Sequence, residues 1–253
     1  MATDSLDDVL RHACATASSI LAEVAQRNAA ERSAAGEREG QYALDLDVDG
    51  PVVDELLAAG LGVLSEEAGV LEPDRELIAV VDPVDGSTNA SLGLPWFATS
   101  ICVIDEHGMR QSIVVDHASG TRFEATRGEG AHRNGVRMAA PRAVPLADAV
   151  IGINGRPPAD AGWAQFRTFG AAALDLCAVA EGRLGGYADF DDHAHGVWDY
   201  LGATLVCAEV GVAVMDAFDR DLLTRDHTAR RTPVAGCTPD VATRLQALRR
   251  AAG

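Results

Sequence analysis

Apolar residues at Leu6, Val9, Leu10, Ala13, Cys14, Ala17, Ile20, Leu21 and Val24 recur at helical spacing on one stripe, which predicts a long amphipathic helix from Asp4 to about Ala35. Glu37-Arg38-Glu39-Gly40 closes it. Proline is favoured in the first turn of a helix, so a second helix is expected from Pro51 through Leu57, entered through the solvated polar run Asp45-Leu46-Asp47-Val48-Asp49-Gly50. Gly60 and Gly62 break the chain before a short strand, Val63-Leu64, that ends in Ser65-Glu66-Glu67. The apolar run Leu77-Ile78-Ala79-Val80-Val81 reads as a buried strand finishing on Asp82. Residues 97–104, 111–116 and 121–126 then form a meander, and 128–135 a hairpin. Successive strands without intervening helices indicate an antiparallel sheet and an α+β first half. Beyond 141–145 the pattern changes. Strands at 149–153, 166–169, 187–190, 212–215 and 234–237 are interspersed with helices at 170–181, 198–209 and 239–252, an α/β pattern. The chain therefore divides into units 1–142 and 143–253.

The stretch after the central strand, Asp82-Pro83-Val84-Asp85-Gly86-Ser87-Thr88-Asn89, carries candidate chemistry. Pro83 removes an amide donor and stiffens the exit, while Gly86 permits a backbone conformation that a Cβ resists, so Asp82 and Asp85 can turn toward one point. Ser87, Thr88 and Asn89 are good helix N-caps, and a helix starting there aims free N–H groups at an anion. Two carboxylates about 4 Å apart repel by roughly 4 kcal/mol at an effective dielectric of about 20, so they need a cation or a proton. Read alone, the string is also an ordinary turn after a core strand. Other acidic places decide: Glu66-Glu67 ends another strand, and Asp199 follows Trp198 at a helix start, where an aspartate also complements the dipole. These oxygens suit Mg²⁺.

Composition narrows the classes. A net charge of −17, from 38 acidic and 21 basic residues, argues against a nucleic-acid polymer or an anionic membrane as partner. Every basic residue is arginine, which excludes a lysine nucleophile, Schiff base or phosphate-neutralising lysine. No apolar run reaches the length of a membrane span and the N-terminus is acidic, so a cytoplasmic location is expected. The five scattered cysteines read as reduced core thiols. His193 and His195 form an H-x-H in an acidic loop and are expected to be exposed. Asp45 to Gly50 resembles an EF-hand loop, but Leu56 occupies its twelfth position; read as a D-x-D nucleophile motif with Asp47 attacking, it lacks the lysine that chemistry needs.

Taken in order, the motifs resemble those of the inositol monophosphatase family of metal-dependent small-molecule phosphatases. The first is Asp82 to Asn89; the second is Trp198-Asp199-Tyr200-Leu201-Gly202-Ala203 with Glu209-Val210-Gly211. Glu66-Glu67 fits the acidic pair and Gly128 to Gly135 the hairpin, so the resemblance runs from about Asp49 to Val214. It implies a layered αβαβα sugar-phosphatase fold with an antiparallel N-terminal sheet and a smaller mixed C-terminal sheet, whose second unit completes the active site. It also implies hydrolysis of a phosphate monoester by water activated by two to three Mg²⁺ ions, and a homodimer. By residue, it implies Glu66, Asp82 and the Val84 carbonyl at one ion, Asp82, Asp85 and Asp199 at a second, and Glu66 facing a third, with Asp49 as an outer catalytic partner. Gly86 and Ser87 would cradle the phosphate, and Ser87 with Glu66 would position the water. Gly170-Ala171-Ala172 and Asp189 would meet the sugar or polyol hydroxyls, with Asp191 and Asp192 competing for the place of Asp189 because the loop to Trp198 is longer than usual. The substrate stays open among inositol phosphate, histidinol phosphate, fructose bisphosphate, a 3′-phosphoadenosine nucleotide and a pathway-specific sugar phosphate. A non-catalytic polyol- or metal-binding relative is the alternative of another class; loss of a metal carboxylate would mark it, and Glu66, Asp82, Asp85 and Asp199 are all present.

Overall fold

A computed structural model describes residues 5–38, 41–159, 161–191 and 195–252. Ser5 caps α1 (Leu6–Ala25) by accepting the Asp8 N–H, and Leu10, Ala13, Cys14, Ala17, Leu21 and Val24 form its buried stripe. The helix stops earlier than its periodicity suggested, because Asn28 opens a separate short helix, α2 (Ala29–Arg32), through a capping box with Glu31. The next helix is longer than expected at its front: α3 spans Ala43–Ala58 with Pro51 inside it. Asp45 accepts the Tyr42 N–H at 2.8 Å and fixes that start. The run from Asp45 to Asp49 is thus helix and not a solvated entry, and both aspartates, four residues apart, are buried on one face.

The first sheet contains β1 (Gly62–Ser65), β2 (Gly69–Leu71), β3 (Ile78–Asp85), β4 (Ala98–Asp105), β5 (Gly108–Asp116), β6 (Thr121–Thr126), β7 (Gly130–Arg133) and β8 (Val136–Arg137), with α4 (Ser87–Leu92) between β3 and β4. Its order is β2-β1-β3-β4-β5-β6-β7-β8. From β3 to β8 all pairings are antiparallel, whereas β1 lies parallel to β3 with Ser65 beside Val81. That parallel register sends Glu66 and Asp82 out of the same end of the sheet.

The second half supplies β9 (Val150–Gly155), β10 (Gln165–Arg167), α5 (Ala172–Ala180), β11 (Gly186–Phe190), α6 (Val197–Glu209), β12 (Ala213–Asp216), β13 (Pro233–Gly236) and α7 (Pro239–Ala251). Its sheet runs β10-β9-β11-β13-β12 and mixes parallel and antiparallel pairs. Helices α1 and α3 bury their apolar faces against Val81, Ile101, Val103 and Ile113. On the other face, Leu174, Leu176, Leu201 and Leu205 of α5 and α6 share a core with Val80, Cys102, Ile104 and Val114. Val241 and Leu245 of α7 cover Ile151, Ile153 and Val234. The result is the αβαβα layering. The middle layer belongs by sequence to the second half but forms the core of the first sheet, so neither half buries its apolar surface alone. All five cysteines are buried and unpaired.

Candidate active site

The Asp-Pro-Val-Asp segment is strand and not turn: β3 continues through Asp85, with a register shift against β4 between Asp82 and Asp85. Asp82 is 2% exposed, and its Oδ1 accepts the Val84 N–H at 3.0 Å. Glu66 arrives from the end of β1 and Asp199 from the first turn of α6. One carboxylate oxygen from each of Glu66, Asp82 and Asp199 lies within 4.8 Å of the others. Arg38 pairs with Glu67 and His195 with Asp199, while Glu66 and Asp82 have no cationic side-chain partner among the described residues. Burial pushes both carboxyls well above the ordinary range, and their neighbours add to it: Asp199, Glu67, Asp45 and Asp85 at Glu66, and Glu66, Asp85, Asp199 and Asp45 at Asp82. Hard oxygens with surplus negative charge fit a divalent cation such as Mg²⁺ and not a soft metal.

Asp85 stands one step back from that trio. Its two oxygens accept the Ala172 N–H at 3.1 Å and the Ala173 N–H at 2.7 Å, so it caps α5 from the other half of the chain. Burial and Asp199 raise its carboxyl to about 7 against the pull of those amides. Gly86 has φ of 85°, and a Cβ there would sit 3.0 Å from the Ala171 Cβ and from the Trp96 carbonyl. Only glycine fits, and it opens α4 with Ser87 as first residue. Asn89 donates from Nδ2 to the carbonyls of Trp96 and Phe169, both at 2.7 Å, which fastens the Gly170 turn to the motif. Ala171 and Ala172 are buried in that packing.

Asp49, the outer partner implied by resemblance, accepts the Ser65 hydroxyl. Asp45 lines the cavity instead, beside Glu66, Glu67 and Ser87. Burial raises its carboxyl to about 7, with the Tyr42 amide and the Ser87 hydroxyl pulling it back, and its Oδ1 is buried without a well-formed hydrogen bond. The overlooked signal was the four-residue spacing of Asp45 and Asp49, which becomes meaningful once the helix is extended in front of Pro51.

Asp189 is fully buried; it accepts from Asn154 Nδ2 at 3.0 Å and from the Asp191 N–H at 2.9 Å, away from the cavity wall. Asp192 and His193 lie outside the described residues. His195, expected to be exposed, has a side chain only 14% exposed. Its Nδ1 is 2.9 Å from Asp199 Oδ2 and its Nε2 is 2.9 Å from the Tyr187 hydroxyl. Burial alone would lower its pKa, but the Asp199 carboxylate outweighs burial and raises it to about 9. At neutral pH the imidazolium therefore donates to Asp199 Oδ2, which also accepts the Gly196 N–H at 2.9 Å.

The carboxylate floor opens into a cavity of about 270 Å³ whose rim carries Arg38, Gln41, Trp198, His227 and Arg230. His227 donates from Nε2 to the carbonyls of Ser65, at 3.0 Å, and Glu66, at 3.3 Å, and its ring lies 4.7 Å from that of Trp198. Both His227 and Arg230 come from the connection between β12 and β13, which carries no local chemical signature.

The chain is similar to several known proteins. The chain is 35% identical over 170 residues to the Nus factor SuhB of Pasteurella multocida, covering 61% of this chain and 62% of that one. It is 30% identical over 174 residues to a fructose-1,6-bisphosphatase of Pyrococcus furiosus, covering 68% of each. The crystal structure of the extragenic suppressor protein suhB from Bartonella henselae superposes with a TM-score of 0.80 at 25% identity, over 98% of this chain and 100% of that one. The match thus spans less than two thirds of the length of the SuhB relative. The family model described as the inositol monophosphatase family fits residues 3–251, nearly the whole chain, and the protein belongs to that family.

Proposed function

We propose that the protein is a metal-dependent phosphatase that hydrolyses a small phosphate monoester, an inositol-monophosphate-like polyol or sugar phosphate. The convergence of Glu66, Asp82 and Asp199, the first two without a cationic partner among the described residues, carries this reading. Mg²⁺ held by these three, with Asp85 and the Val84 carbonyl completing the donor set, would lower the pKa of a water and stabilise the departing alkoxide. The N–H groups of Gly86 and Ser87 receive the phosphate oxygens. Glu66 and the Ser87 hydroxyl orient the water, and Asp45, held near pH 7 and lacking a full partner at Oδ1, takes its proton through Ser87 Oγ. Asp85 keeps α5 and the Gly170-Ala171-Ala172 turn in place as a wall, with Asp189 behind it, where the hydroxyls of the substrate are selected.

The relatives named Nus factor SuhB favour a second reading, a non-catalytic member of the family that acts as a partner protein. An intact carboxylate set is compatible with both roles. Purified protein with Mg²⁺ is expected to release phosphate from at least one member of a broad panel of sugar, polyol and nucleotide phosphates, and to stop when a chelator is added. Failure on the whole panel refutes the phosphatase reading and leaves the second.

A further inference from the structure

We propose that the substrate carries a second anionic group and that Arg230 binds it at the rim; this rests on the phosphatase reading above. The floor of the cavity is self-contained once cations and the reacting phosphate are in place. The rim is not. Arg38 is committed to Glu67. Arg230 makes no ion pair among the described residues of a chain whose net charge is −17. Its guanidinium lies 5.2 Å over the Trp198 ring, and Nη1 donates only to the carbonyls of His227, at 2.9 Å, and Ala229, at 3.1 Å. The edge formed by Nε and Nη2 meets no acceptor among the described residues, and Arg230 lines the same cavity as Glu66 and Ser87.

The arginine is also built into place. At the base of its connection, Asp216 accepts from both arms of the Arg220 guanidinium and from the N–H groups of Phe218 and Thr232. Three residues before Arg230, His227 is anchored on the Ser65 and Glu66 carbonyls. One residue after it, Arg231 exchanges backbone hydrogen bonds with His195 at 2.7 and 2.8 Å. A guanidinium held between two such anchors, stacked on one face and with one N–H edge free, is preorganised for a bidentate oxyanion, a phosphate or a carboxylate.

Matched substrates test this. Mannitol 1,6-bisphosphate has two equivalent ends and is compared with mannitol 1-phosphate; 6-phosphogluconate is compared with glucitol 6-phosphate to separate a second phosphate from a carboxylate. With Mg²⁺, wild-type protein is expected to show kcat/KM higher by about tenfold or more for at least one doubly anionic member over its partner, the worth of one charge-assisted contact. Arg230→Gln is expected to collapse that ratio toward one through KM, and Arg230→Lys to restore part of it. No preference in wild-type protein, or equal losses on both members of a pair in the variants, overturns the inference and leaves the phosphatase reading standing. No phosphate release by wild-type protein from these substrates or from the wider panel overturns both.

Discussion

Asp82 and Asp216 are equally buried, each at 2% exposure, yet their carboxyls respond in opposite directions. Burial alone would raise both. At Asp216 the two-armed Arg220 contact and the amides of Thr232, Phe218 and Arg220 overcome it and hold the carboxyl below its ordinary range. Asp82 receives one amide and faces other carboxylates, so its carboxyl is pushed up. Asp216 brings its own cation. Asp82 is left short of one, and that deficit, added to its burial and to the carboxylates around it, points to a cation among them.

The comparison breaks most visibly at Asp82. Asp82→Asn is expected to lower kcat by at least ~10³-fold, about 4 kcal/mol of barrier. Its melting temperature in metal-free buffer should not fall, since one of several repelling charges is gone, but the rise that Mg²⁺ gives the wild-type protein should disappear. Retained turnover in the folded variant would remove Asp82 from the site. Asp216→Asn, by contrast, breaks a satisfied pair of a buried carboxylate with a half-exposed arginine and is expected to cost about 1.5–3 kcal/mol in urea denaturation. A neutral result there would erase the distinction drawn between the two aspartates.

His117 tests the same rule with the opposite charge. It is packed between the hydroxyls of Ser18, at 3.1 Å, and Thr99, at 2.8 Å, and burial lowers its pKa to about 4. The unfolded chain then binds a proton near its ordinary value of 6.5 while the folded chain does not. The stability from this group is complete above about pH 6.5 and is lost as pH falls toward 4, a change of about 3 kcal/mol. Unfolding free energies measured across that window should fall less steeply for His117→Gln than for wild-type protein; parallel curves would show that His117 keeps its proton in the fold. The smallest effect expected is at the acidic pair of α3. Asp45→Asn should lower kcat about 10²-fold, the scale of one general acid–base contact, and Asp49→Asn should lower it less. The reverse order, read from steady-state kinetics of both variants, would return the outer catalytic role to Asp49.

Local chemistry explains what was legible in the chain. The stripe of α1, the meander β4 to β6 and the closing helix α7 follow from spacings repeated within a few residues, which neighbours along the chain enforce directly. Pro51 misled because its fixed φ suits a helix start, yet the interior of α3 accommodates it. The parallel pairing of β1 with β3 could not be read from either strand, since alternation records burial and not the direction of a partner. Among site residues, Glu66, Asp82 and Asp199 were visible as acids at element ends. Asp45, His227 and Arg230 were not, because each acquires its role from a residue far away in the chain: Ser87, Ser65 and Trp198.

The sequence by itself determined most of the longer helices and strands, the order of the acidic motifs and the need for a cation where carboxylates end buried strands. Only the tertiary structure decided which acids meet. Repulsion and desolvation depend on separations of a few ångströms, set here by a parallel register and by helices from the second half packing on the first sheet. It also decided that one arginine on the rim pairs with no carboxylate among the described residues, because pairing is a property of what folding brings within reach.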